Sequence, residues 1–237
     1  MNTLKKLCLP ALLVTLYGCG GSDNNPPPEV ITPPPPPVAM VYSFSVSVTN
    51  LTHGQPLSPI GIALHQQGAF WQVGTPASEA LEQMAESGDN SALLAEDMVL
   101  AAVSDTAPLM PGNHVELVVE TDQLDDLKLS LVSMMVNTND GFSGLNALDV
   151  SQLALGETLN VRTMAYDAGT EANSERAGTI PGPADGGEGF NASRDDNQMV
   201  TFHPGVVGQD DGLTSSVLNQ DHRFDNPLMA ITITRMQ

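Results

Sequence analysis

The chain predicts an all-β domain carrying one short helical insert, and three observations lead there. Residues 41–49, VYSFSVSVT, alternate strictly. Tyr42, Phe44, Val46 and Val48 fall on one face and Ser43, Ser45 and Ser47 on the other, the pattern of a half-buried strand. Further strand-like runs cover residues 60–65, 98–103, 114–120, 129–136, 158–166 and 229–236, and turn-forming Gly, Pro, Asn and Asp separate them. Only one longer stretch, residues 76–89, carries helical signals.

The first 18 residues read as an export signal. Lys5 and Lys6 form a basic start, and the apolar run over residues 7–16 is too short to span a membrane as a mature helix. Leu16-Tyr17-Gly18-Cys19 resembles a bacterial lipobox, with Tyr17 an unusual occupant. Cys19 is then the acylated N-terminus of an exported protein. Gly20 after it, rather than Asp, points by analogy to the outer membrane. Cys8 leaves with the signal and Cys19 is consumed by lipid, so the mature chain has neither thiol nor disulfide. Residues 19–40 are a tether in which Gly, Ser and Asn give way to proline runs that stiffen into polyproline II.

Residues 41–237 are long enough for one domain with a substantial core. Formal charge is −20, and beyond the signal only Lys128, Arg162, Arg176, Arg194, Arg223 and Arg235 oppose 28 acidic residues. Nucleic acid and anionic lipid headgroups are therefore poor partners, and contact with the membrane is expected through the N-terminal lipid alone.

In the helical stretch Ser78 is placed to cap. Glu79 and Glu82 lie in the first turns, where the helix dipole favours anions, and Gly88 ends the run. A further helical turn is expected within residues 90–96. Trp71, the single tryptophan, reads as core or as a lid on it. Residues 179–197, rich in Gly, Pro and Asp, form a long surface loop.

The centre of the chain holds two carboxylate-bearing turns. The apolar run 129–136 breaks at NTNDG, and the run 158–166 breaks at DAGT. Two such turns at one sheet edge place Asp140 beside Asp167, and adjacent carboxylates favour a bound divalent cation. No catalytic constellation accompanies them. His53, His65, His114, His203 and His222 lie in no HxxxH spacing, and neither a GxSxG motif nor a P-loop occurs, so an enzyme is not expected.

The segments NTNDGFSGLN and YDAGTEAN, in that order, resemble the spondin domain of F-spondin and mindin in the form carried by bacterial lipoproteins. VSVTNLTHGQPLSPIGIALH, GTPASEALEQMAESGD and NPLMAITITR extend the resemblance over roughly residues 41–237. It implies an antiparallel, C2-like β-sandwich with a divalent-cation site and a role in cell-surface adhesion or in matrix or glycan recognition, and it does not imply an enzyme. The alternative is a structural envelope protein in which the metal only stabilises the fold. The resemblance assigns metal ligation to Asp140 and Asp167. It adds an upstream glutamate, for which Glu120 is the nearest match and Asp122 the second. Glu171, Asn139 and Asp149 are candidates to complete the shell. The cation is expected to be calcium, with magnesium the other hard ion that oxygen ligands accept. Eukaryotic spondin domains carry disulfides, and this chain departs from them there.

Overall fold

A computed structural model describes residues 40–196 and 199–237. Cys19, the signal and nearly all of the tether lie outside the described residues. Ten strands form two antiparallel sheets: β1 (Tyr42–Asn50), β2 (Gly61–His65), β3 (Val99–Ser104), β4 (His114–Thr121), β5 (Lys128–Met134), β6 (Gly141–Asp149), β7 (Thr158–Arg162), β8 (Ala165–Asp167), β9 (Thr201–Phe202) and β10 (Met229–Arg235). The four-stranded sheet runs β4-β1-β10-β7 and the six-stranded sheet β3-β2-β5-β6-β8-β9. The fold is an all-β sandwich with the expected helical insert between β2 and β3.

Alternation in the sequence decides what each face does. Phe44, Val46 and Val48 of β1 and Ile231 and Ile233 of β10 meet Ile62, Leu64, Leu129 and Leu131 of the facing sheet in one core cluster. The opposite face of the four-stranded sheet is hydroxyl-rich, with Thr158 bonded to Thr234 at 2.9 Å and Thr232 to Asn160 at 3.0 Å. The six-stranded sheet is covered on both faces. Val132, Met134 and Phe142 turn away from the sandwich core and pack against Leu81, Met84 and Leu93 of the insert and against Trp71. That second covering is why residues 129–136 read as a continuous apolar run rather than an alternating one.

The insert is α1 (Glu79–Ser87) followed by the single turn α2 (Ser91–Leu94). Ser78 caps α1 as expected, accepting from the Leu81 N–H at 3.1 Å. Gly88 closes it in the left-handed region, at φ 75°.

Two strand assignments differ from expectation. Residues 158–166 are not one strand. They divide into β7 in one sheet and β8 in the other, crossing at Thr163 and Met164. The buried Thr163 hydroxyl holds the crossing, bonded by Ser143 Oγ at 2.8 Å and by the Met229 N–H at 3.1 Å. The stretch after Asp140, to which the sequence assigns no strand, is strand β6. Its glycines disguise it, and Gly144 has a packing reason to be glycine. A Cβ there would stand 1.9 Å from the Leu131 carbonyl oxygen on β5 and 3.1 Å from Trp71.

Candidate metal centre

β6 and β8 pair antiparallel with Gly141 opposite Asp167. Asp140 immediately precedes that register position, so the two aspartates are cross-strand neighbours. The Ala168 N–H donates to the Asp140 carbonyl at 3.3 Å. The sequence expectation that two turns would bring these carboxylates to one edge is what the geometry shows.

Both side chains are buried, Asp140 fully and Asp167 to 3% exposure. Asp140 Oδ2 accepts from the Thr170 N–H at 2.7 Å, the Thr170 hydroxyl at 3.2 Å and the Glu171 N–H at 3.0 Å. Its other oxygen, Oδ1, has no partner. Asp167 accepts from the Gly169 N–H at 2.8 Å and from Asn173 Nδ2 at 2.5 Å. Gly169 must be glycine on two counts. Its φ is +70°, and a Cβ would lie 2.3 Å from the Met199 carbonyl oxygen.

Glu171 comes next along the same loop, half-buried, with Oε2 3.5 Å from Asn139 Nδ2. Beyond it lies Glu86 of α1, only 1% exposed. One Glu86 oxygen accepts from the Asn191 N–H at 2.8 Å and the other, Oε1, has no partner. Glu82, one turn earlier, is ion-paired with Arg194, whose guanidinium also donates to the Ala77 carbonyl at 3.0 Å. The acids therefore form a string from Asp167 through Asp140, Glu171 and Glu86 to Glu82, with Arg194 at the far end.

The electrostatics follow from that string. Burial, reinforced by the charge of Asp167, pushes the Asp140 carboxyl up to about 7. Burial and then the charge of Glu86, with lesser help from Asp140 and Asp195, push Glu171 up to about 8 although the Asn139 hydrogen bond opposes them. Burial also raises Asp167 and Glu86. A carboxyl whose folded pKa lies above its unfolded value binds more protons in the native state. Its stabilising contribution is complete below the unfolded pKa and is lost as pH rises through the folded one. For Asp140 and Glu171 that window runs from pH about 4 to about 8. The protein in EDTA should thus lose stability across it, relative to an Asp140→Asn, Glu171→Gln double variant. Urea midpoints at pH 5, 6, 7 and 8 check this, and equal slopes for the two proteins would refute it.

Glu120 is not part of this arrangement. It is exposed on β4, opposite Ser43 of β1 and in the other sheet. The end of β4 near the carboxylates is His114. The bonds that link that end to the site run from the Asn50 side chain to the Gln55 carbonyl at 2.8 Å, then from Gln55 Nε2 to the Asn137 carbonyl at 3.2 Å. Glu120 is six residues further along, roughly 20 Å at about 3.4 Å per residue. Asp122 lies beyond it. Asp149 stands at the far end of β6, its carboxylate taken by Ser151 at 2.7 and 2.9 Å.

The acid that sequence reasoning missed is Glu86. A signal was present: Glu82 and Glu86 are an i, i+4 like-charged pair flanking the apolar positions Leu81, Met84 and Ala85, and such pairs are unfavourable without a reason. Among the described residues, no three Asp, Glu, His or Cys side chains already stand close enough to hold a metal ion. Of the other acids, Glu171 is the one tied to Asp140, its N–H donating to Asp140 Oδ2. The donor set fits a hard cation. It is made of carboxylate oxygens, and the Asp140 oxygen without a hydrogen-bond partner is fully buried.

The chain matches no protein-family model and none of the curated proteins.

Proposed function

We propose that this protein is an exported, lipid-anchored β-sandwich of spondin type that binds a divalent cation, calcium by preference, at Asp140 and Asp167. Cys19 is the lipid attachment site on this reading, the outer membrane the location, and adhesion through a glycan or another macromolecule the role. One observation carries the cation: two buried carboxylates on neighbouring strands, near enough for the charge of Asp167 to act on Asp140, whose Oδ1 no donor reaches. A buried charged pair of like sign is costly unless a cation or protons compensate it. The ion would be held by Asp140, Asp167 and Glu171, and would supply a positive charge that draws the two loops together.

A second reading has its own support. With Asp140 fully buried and Asp167 at 3% exposure, an ion at the pair is shielded from a large partner. That favours a cation that stiffens the loops rather than one that touches a ligand directly.

Calcium titrated calorimetrically into the EDTA-stripped protein tests the site. Saturable binding is expected in the wild type and none in the Asp140→Asn, Asp167→Asn double variant. Equal binding by both proteins would move the ion elsewhere. Glycan capture with and without calcium separates the two roles.

A further inference from the structure

We propose that Glu171 bridges two cation positions: the inner one at Asp140 and Asp167, and an outer one held by Glu86 and Glu171 against the adjoining cavity. This rests on the cation reading above and extends it to a second divalent ion of the same hard class.

The cavity lies directly outside Glu171 and has a volume of about 70 Å³. A single water needs roughly 10–15 Å³ of such space, so the cavity admits an ion together with several waters. Its walls include Glu171, Glu188 and Asp195, the amides of Asn139 and Asn191, and the Ser174 hydroxyl. The carboxylates and the Ser174 hydroxyl offer oxygen, which hard divalent cations take and softer metals do not favour, whereas Asn139 turns its Nδ2 toward Glu171.

Glu86 supplies the independent observation. It is 99% removed from solvent, yet Oε1 has no hydrogen-bond partner. Its other oxygen is fixed by the N–H of Asn191, a wall residue, so the carboxylate is anchored beside the cavity. Among the charges acting on Glu171, that of Glu86 is the largest and that of Asp140 the next. Glu171, on the cavity wall, thus feels the charges of two buried acids, each with one oxygen lacking a hydrogen-bond partner. Arg194 does not relieve Glu86 directly, because its hydrogen bonds go to Glu82 and the Ala77 carbonyl. A cation between Glu86 and Glu171 answers both the repulsion and the orphaned oxygen. The exposed carboxylates of Asp195 and Glu188 line the approach and concentrate cations there.

Equilibrium dialysis of the EDTA-stripped protein against calcium decides the matter. Two equivalents per chain are expected. Glu86→Gln keeps an acceptor for the Asn191 N–H and removes the charge, so it should bind one equivalent while retaining the inner site. Asp195→Asn, at an exposed position, should weaken the second binding step without touching the first. One equivalent in the wild type, unchanged by Glu86→Gln, overturns the outer position and leaves the inner one standing. No calcium bound at all overturns both.

Discussion

Calcium at about 100 times its dissociation constant should raise the stability of the EDTA-stripped protein by about 2.7 kcal/mol. For a domain of this size that corresponds to a rise in the thermal midpoint of roughly 5–10 °C. That figure depends only on the ratio of calcium to its dissociation constant; the penalty carried by the metal-free state enters the constant itself. Asp140 and Asp167 are buried together, and the energy released on binding includes relief of their repulsion. Asp140→Asn separates the two contributions. It removes a buried charge, so without metal the variant should melt at or above the wild-type temperature. It also removes a ligand, so the calcium-dependent rise should vanish. An undiminished rise in this variant would take the ion away from Asp140. A variant that melts well below the metal-free wild type would show that the three hydrogen bonds to Oδ2 outweigh the repulsion. Magnesium should give a smaller rise, since it demands a regular octahedron and gives up water reluctantly.

The second large effect belongs to Phe142, two residues after Asp140. It is fully buried, its ring 5.2 Å from Trp71 edge-on and 5.4 Å from Tyr166 in a stacked arrangement. Phe142→Ala removes the centre of that cluster and should cost about 3–5 kcal/mol, read as a lowered denaturant midpoint at unchanged slope. Phe202 continues the stack on Tyr166 at 5.4 Å but is 56% exposed. Phe202→Ala should cost much less, about 0.5 kcal/mol. Similar losses at the two positions would mean that the aromatic column, rather than burial, sets the energy. Phe142 also fixes the start of β6, so its loss should weaken calcium binding through the position of Asp140.

Much of this architecture was legible from periodicity. Residues 41–49 alternate cleanly, and β1 lies within one residue of that span. Ser78 and Gly88 bracket α1 by cap chemistry alone. Where the reading failed, tertiary context had overridden local pattern. Gly141 and Gly144 suppress strand propensity in β6, yet Gly144 is there so that β5 can approach. Nothing local announces that the chain changes sheets at Thr163. That depends on Ser143 and Met229, distant in sequence and gathered by the fold. The aspartate pair was legible because both members follow strands that end in turns. The glutamates were not, because their approach depends on where a helix and a long loop dock. Resemblance pointed to Glu120 on a strand, whereas the acids near the pair come from α1 and from the loop after β8.

The ends of the folded unit add a mechanical consequence. Tyr42 at the start of β1 and Arg235 at the end of β10 lie together, Phe44 opposite Arg235, at the end of the sandwich away from Asp140. β1 is bonded on both sides, to β4 and to β10. Antiparallel ladder bonds run perpendicular to the strands. In a molecule held through residue 40 and pulled at its carboxylate loops, force travels along β1 and loads both ladders in shear. The bonds then share the load together instead of opening one at a time. A domain held in that way would transmit tension to its opposite end while its sheets stay closed.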